Sequence, residues 1–272
     1  MKYVIALNDE FREARRYTRM TKLLEGKTAV IYGAAGSLGS AIAKAFAREG
    51  ATVHLVGRTR ATLQAVADEI SDGAHVAVLD ATDEAAVDAH ADQVGRIDIS
   101  FNLILRGDDQ GTPLVDMSLE RVLGALVTGV TTSFLTARAA ARHGAGVILH
   151  LTSGSSRGTQ PGMGNTGPTD AAVEAMHRYL AAELGPGGVR VVGIHTAGVH
   201  GTLTAEKIAK VAGVDPSLID VDAINAGLAQ GTMLKRQPEI QQIAETATFL
   251  ASDRAGAITS GIVNATRGLV PG

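Results

Sequence analysis

From Lys27 onward the chain alternates apolar runs of about five residues with helical patterns of roughly ten to fifteen, a rhythm that restricts it to βαβ units around a parallel sheet. The runs predict strands at 28–32, 52–56, 75–79, 98–104, 146–152, 189–195 and 261–264. Between the first two, Leu38, Ile42 and Phe46 recur at every fourth residue, so one stripe of that helix is apolar and is expected to pack on the sheet.

The expected fold is therefore α/β, a Rossmann-type doubly wound sheet of seven parallel strands with helices on both faces. Its 272 residues suit a single domain over 27–272, preceded by a short N-terminal extension, 1–26, with a helix expected from about Asp9 to Leu24. The alternation breaks at 200–237, where helical patterns near 203–211 and 220–230 read either as a substrate lid or as a packed insertion.

Composition narrows the function classes. Without cysteine there is no disulfide framework, thiolate metal site or thiol nucleophile, and no histidine pair stands at ligand spacing on one helix, so no metal is expected. The first apolar run, Tyr3–Leu7, is short for a signal peptide, and no stretch reads as the roughly 20 apolar residues of a membrane span. A soluble, cytoplasmic protein without a membrane partner is expected. The net charge of −3 offers no broad basic face for nucleic acid. Arg12, Arg15, Arg16, Arg19 and Lys22 cluster near the start, as a solvated helix face or a subunit contact would.

The turn after the first strand carries the strongest chemical signal. Gly33-Ala34-Ala35-Gly36-Ser37-Leu38-Gly39 places three glycines where a buried strand becomes a helix. Gly33 permits the tight turn, Gly36 lets backbone approach a pyrophosphate, Gly39 lets helix and strand pack, and the helix N-terminus faces the anion. The second strand ends in Gly57-Arg58-Thr59-Arg60 rather than in the acid that would bond a ribose 2′-hydroxyl of NAD. Arg58, with Thr59 beside it, suits the 2′-phosphate of NADP. The expected cofactor is NADP(H), held in part by Gly33, Ala35, Ser37, Leu38 and Gly39.

These residues resemble the short-chain dehydrogenase/reductase family, and the resemblance runs from about Lys27 to Gly268. Leu79-Asp80-Ala81-Thr82-Asp83 is similar to the family segment that contacts adenine. Ala171-Ala-Val-Glu-Ala-Met, Leu180-Ala-Ala-Glu-Leu-Gly-Pro and Gly188-Val-Arg-Val resemble the family's catalytic helix and sixth strand, and Met233-Leu-Lys-Arg with Ile243-Ala-Glu-Thr-Ala-Thr-Phe-Leu-Ala-Ser-Asp resembles its late helix. The resemblance implies further cofactor contacts at Asp80, Ala81, Asn102 and Val199. It also implies a homotetramer or homodimer built on helices near 117–142 and 168–184, with Val122, Ala139, Met176 and Tyr179 compatible with an apolar outer face.

Family members reduce carbonyls or oxidise alcohols with a serine, a tyrosine and a lysine, the last two on one helix. Tyrosine donates the proton, lysine lowers its pKa and holds the nicotinamide ribose, and serine bonds the substrate oxygen. The resemblance places Ser153 at the serine position, Thr166 at the tyrosine position and Asp170 at the lysine position. No register shift restores the pair, because the tyrosines are at 3, 17, 32 and 179 and no lysine lies between 44 and 207. The Asn-Asn-Ala-Gly segment reads Asn102-Leu103-Ile104-Leu105, and the family's helix asparagine falls on Gly129.

Thr166 is a poor proton donor, since an aliphatic hydroxyl ionises far above a phenol. Asp170 is open to two readings, an acceptor or base beside the ribose, or a first-turn acid complementing a helix that starts at Gly167-Pro168. His200, in the loop expected near the nicotinamide, is the candidate replacement acid, whereas His150 and His195 fit within strands. The expected activity is an NADP(H)-dependent oxidoreductase acting on a small carbonyl, alkene or imine with non-standard proton delivery. The alternatives are a non-redox lyase, dehydratase or cyclase on the same fold, or a non-catalytic NADP-binding protein.

Overall fold

A computed structural model describes residues 22–70, 72–158 and 161–270. Seven strands, β1 (Thr28–Tyr32), β2 (Thr52–Gly57), β3 (Ala74–Val78), β4 (Ile99–Asn102), β5 (Val147–Ser153), β6 (Arg190–Thr196) and β7 (Ile262–Asn264), form one sheet in the order β3-β2-β1-β4-β5-β6-β7. Every pairing is parallel. The predicted strands thus all form, within two residues at each end. The expected N-terminal helix lies almost wholly outside the described residues, and its expected last residues, 22–24, are not helical, Leu23 and Leu24 standing in a turn with Leu24 buried.

Strand alternation builds two cores. Ala29, Ile31, Val53, Leu55, Phe101 and Leu149 meet one helical layer, formed by α1 (Ser37–Arg48), α2 (Arg60–Asp68) and α8 (Ile240–Ala251). Val30, Tyr32, Val56 and Ile148 meet the other, formed by α3 (Glu84–Val94), α4 (Leu119–Arg142) and α5 (Thr166–Leu184). Ile42 and Phe46 of the α1 stripe are fully buried, each contributing roughly 1.5–3 kcal/mol. The insertion folds as α6 (Ala205–Ala212) and α7 (Val221–Gly231), both started by aspartate or threonine side chains that accept from backbone N–H groups.

By length and composition α4 could cross a membrane, against the sequence expectation. Its inner face, with Ala125, Gly129, Leu135 and Ala139, is buried, and Leu135 and Ala139 belong to the domain's own core.

Candidate active site

Strand order reverses between β1 and β4, so the loops after their carboxyl ends diverge and leave a crevice there. The glycine turn lines it. Gly33 has φ +79°, and a Cβ there would stand 2.7 Å from the Leu103 carbonyl oxygen. A Cβ at Gly39 would stand 2.3 Å from the Gly33 oxygen, whereas one at Gly36 meets nothing closer than 3.3 Å. Gly36 caps α1 without a side-chain bond, and the first turn of α1 holds no acid, so its N–H groups face the crevice uncompensated.

The other expected cofactor residues gather at the same strand ends. Arg58 and Thr59 follow β2, with Arg58 exposed. Asp80 accepts from the Thr82 N–H and hydroxyl, which with nearby Arg58 holds its carboxyl below the ordinary value. Asn102 donates to Thr132 Oγ1 and Ser133 Oγ of α4 and accepts from Ile104 N–H, so its side chain ties β4 to α4. Val199 is buried after β6. From α6, Lys207 Nζ donates to Ser37 Oγ at 3.1 Å and to the Thr202 carbonyl at 2.9 Å, placing an ammonium over the start of α1.

At the end of β5, Ser153 Oγ donates to Asp170 Oδ2 at 2.6 Å and Ser153 N–H donates to the same oxygen at 3.1 Å. The other oxygen of Asp170 accepts from Arg106, whose second amino group donates to Asp108 at 2.9 Å. The Asp170 side chain has no exposed surface, and burial pushes its carboxyl above the ordinary value against the pull of Arg106 and Ser153. Asp170 is not a first-turn acid. The helix begins one residue earlier than Gly167, with Asn165 as N-cap, so Pro168 is the third helical residue and Asp170 the fifth, turned inward. Asn165 joins the capping position to the β4–α4 loop and the first turn of α4, accepting from Asp109 N–H and donating to the Arg121 carbonyl.

Thr166 is also buried, and its hydroxyl accepts from Gln110 of the β4–α4 loop at 3.0 Å. That loop is sewn down further by Gly111 N–H to the Gly162 carbonyl and by Gln110 N–H to the Val211 carbonyl. His200 stands apart. It is exposed, its backbone bridges to Glu239, and among the described residues no hydrogen bond joins it to Ser153, Thr166 or Asp170. His150 and His195 are buried in their strands, His195 bonded to Glu174 as a satisfied core histidine would be, but neither ring nitrogen of His150 has a hydrogen-bond partner among the described residues.

Beneath Asp170 the same helix face stays polar. Glu174 accepts from His195 Nε2 at 2.6 Å and from Thr152 Oγ1 at 3.1 Å, and these bonds hold its carboxyl below the ordinary value despite burial. His150 stacks on His177 with ring centres 3.7 Å apart, and burial lowers both pKa values, that of His177 to about 4. A cavity of about 20 Å³, room for one water, lies among Asn102, Arg106, Thr132, Ser133 and His150.

Sequence reasoning missed Arg106, Gln110, Lys207 and the Glu174–His195 pair. A signal existed for Arg106: glycine at 129, inside a long helix, marks a close approach, and a buried acid at 170 demands a cation.

The comparisons with known proteins agree with this fold. Residues 33–269 match the sequence profile described as enoyl-(acyl carrier protein) reductase. An uncharacterized oxidoreductase of Methylorubrum extorquens is 30% identical over 90% of this chain and 98% of its own length. A short-chain type dehydrogenase/reductase of Sinorhizobium fredii is 29% identical over 93% of this chain, which spans only 45% of that longer protein. The structure of a 7α-hydroxysteroid dehydrogenase complexed with NADH and a 7-oxo bile acid superposes with TM-score 0.75 at 28% identity, covering 91% of this chain and 96% of that one. A nicotinamide-binding α/β oxidoreductase is what the fold and crevice define. The chain belongs to the short-chain dehydrogenase/reductase family.

Proposed function

We propose that this protein is an NADP(H)-dependent reductase of a small carbonyl, alkene or imine in which Asp170 and Ser153 replace the family's tyrosine as the proton route. The observation that carries the reading is the 2.6 Å bond from Ser153 Oγ to Asp170, a carboxyl whose affinity for a proton is raised by burial. The crevice fits a dinucleotide: uncapped α1 N–H groups and Lys207 converge on one point, and Arg58 stands exposed at the end of β2. Arg58 and the absence of an acid in Gly57-Arg58-Thr59-Arg60 support NADP(H) over NAD(H).

The bound cofactor supplies the hydride. Ser153 Oγ gives its proton to the substrate atom that becomes negative, and the protonated Asp170 carboxyl returns a proton to Ser153 Oγ. The arrangement described above, with Ser153 donating to the carboxylate, is the state after that transfer. Arg106 stabilises the carboxylate that remains. His200 has no part in this route. An ionised Asp170 also equips the site for a non-redox proton abstraction through Ser153, which is the second reading.

The test is calorimetric titration with NADPH and NADH, then NADPH oxidation against carbonyl, enone and imine panels with the native chain, Ser153→Ala and Asp170→Asn. Tighter binding of NADPH and oxidation reduced at least about a hundredfold in both variants are expected. Absent NADPH binding sinks the proposal, and binding without oxidation directs it to the non-redox reading.

A homo-oligomer is part of the proposal. Leu119, Leu123 and Val127 form an exposed stripe on α4, and Tyr179 is exposed on α5. Ala139, offered for that face from the sequence, is fully buried instead, while Val122 and Met176 are only partly covered.

A further inference from the structure

Three departures from the family pattern meet at one point. Gly129 stands where the family has its helix asparagine, Asp170 where it has its lysine, and the loop after β4 runs on to Arg106. The side chain of Arg106 occupies the space beside Gly129: a Cβ there would lie 2.8 Å from Arg106 Cδ and 2.8 Å from Thr169 Cγ2. Its guanidinium, 14% exposed, bonds a carboxylate that has no exposed surface. A carboxylate buried without a cation is strongly destabilising, so the acid at 170 and the arginine at 106 require one another, and the arginine requires the glycine.

We infer that Arg106 takes over, from the β4–α4 loop, the place of the buried cation that the family carries on its catalytic helix, and that it is the positioning residue that orients Asp170 behind Ser153 and stabilises the carboxylate left there once its proton has passed on. The groups facing Asp170 are few. Asp108 lies on the far side of Arg106, Ser153 donates twice from β5, and Thr166, bonded to Gln110, precedes it by one turn of α5. Glu174 follows by one turn and is occupied by His195 of β6, while α4 contributes only Gly129. Arg106 is therefore the one cation bonded to Asp170 among the described residues.

The inference deepens the proton-route reading and rests on it for its catalytic meaning, but its test needs neither substrate nor cofactor. Urea unfolding of the full chain is followed at about pH 7.5 and about pH 5 for the native protein, Arg106→Met, Arg106→Lys and Arg106→Met/Asp170→Asn. Without the cation, the folded-state pKa of Asp170 rises further above its unfolded value. Stability then falls as pH rises through that window, so the deficit of Arg106→Met is greatest at neutral pH and narrows on acidification. Adding Asp170→Asn abolishes the pH dependence of the deficit, and Arg106→Lys recovers part of the loss. A deficit equal at both pH values, or one whose pH dependence survives Asp170→Asn, overturns the inference.

If Arg106→Met does not fold, carbon NMR titration of the Asp170 carboxyl in the native chain and Arg106→Lys decides. The carboxyl is expected to keep its proton to higher pH in the lysine variant, which lacks the planar fork; identical titrations overturn the inference. Because NADPH oxidation enters none of these readouts, a failure of the reductase reading is seen separately.

Discussion

A methyl group at Gly39 would collide with the Gly33 carbonyl, while one at Gly36 would only be tight. Gly39→Ala is therefore expected to cost about 1–3 kcal/mol and to abolish cofactor binding, with Gly36→Ala milder in both; thermal unfolding and NADPH calorimetry read the contrast. Histidine burial gives a second residue-scale expectation. His177, at a pKa of about 4 against an unfolded value of about 6.5, takes up its proton in the unfolded chain first. Stability thus falls as pH drops from about 6.5 toward 4, by up to about 3 kcal/mol from this residue, and His177→Phe should flatten the pH dependence of the urea midpoint. At this scale the sequence was readable wherever the backbone dictated the residue, as at Gly33 and Gly39. It was opaque at Asp170, whose meaning depends on Arg106, 64 positions away and brought near by the fold alone.

Among elements, α6 has a role that its sequence does not announce. An ammonium at a helix N-terminus opposes the helix dipole, so Lys207 over the start of α1 is poorly placed until an anion arrives between them. Lys207→Gln is expected to weaken NADPH binding about three- to tenfold, Lys207→Arg to preserve it, and both to leave the binding of unphosphorylated adenosine unchanged. Both insertion helices were legible from periodicity, since each has a cap and one apolar face. The start of α5 was misplaced because proline drew attention to the residue before it. The actual cap, Asn165, spends its side chain on the β4–α4 loop instead of on the helix, and so leaves no capping pattern to read.

For the whole molecule, the parallel sheet and its two helical layers followed from alternation, because strands covered on both faces must be continuously apolar and their helices must be amphipathic, whereas the order of the strands did not. What alternation could not show was how the exposed remainder is used. Leu123 and Val127 on α4 face outward at helical spacing, near the end of the helix farthest from Arg142. Replacing both with glutamate is expected to convert the proposed homo-oligomer to monomers in analytical ultracentrifugation, with little change in the unfolding of the single domain. An unchanged sedimentation coefficient would place the subunit contact elsewhere.

The Arg106–Asp170 pair also governs which amino-acid changes are reachable from here. Lysine reintroduced at 170 would confront Arg106 across a buried contact, and asparagine reintroduced at 129 would strike the arginine stem. Installing a tyrosine–lysine pair at 166 and 170 by engineering is therefore expected to need accompanying changes at 106 and 129.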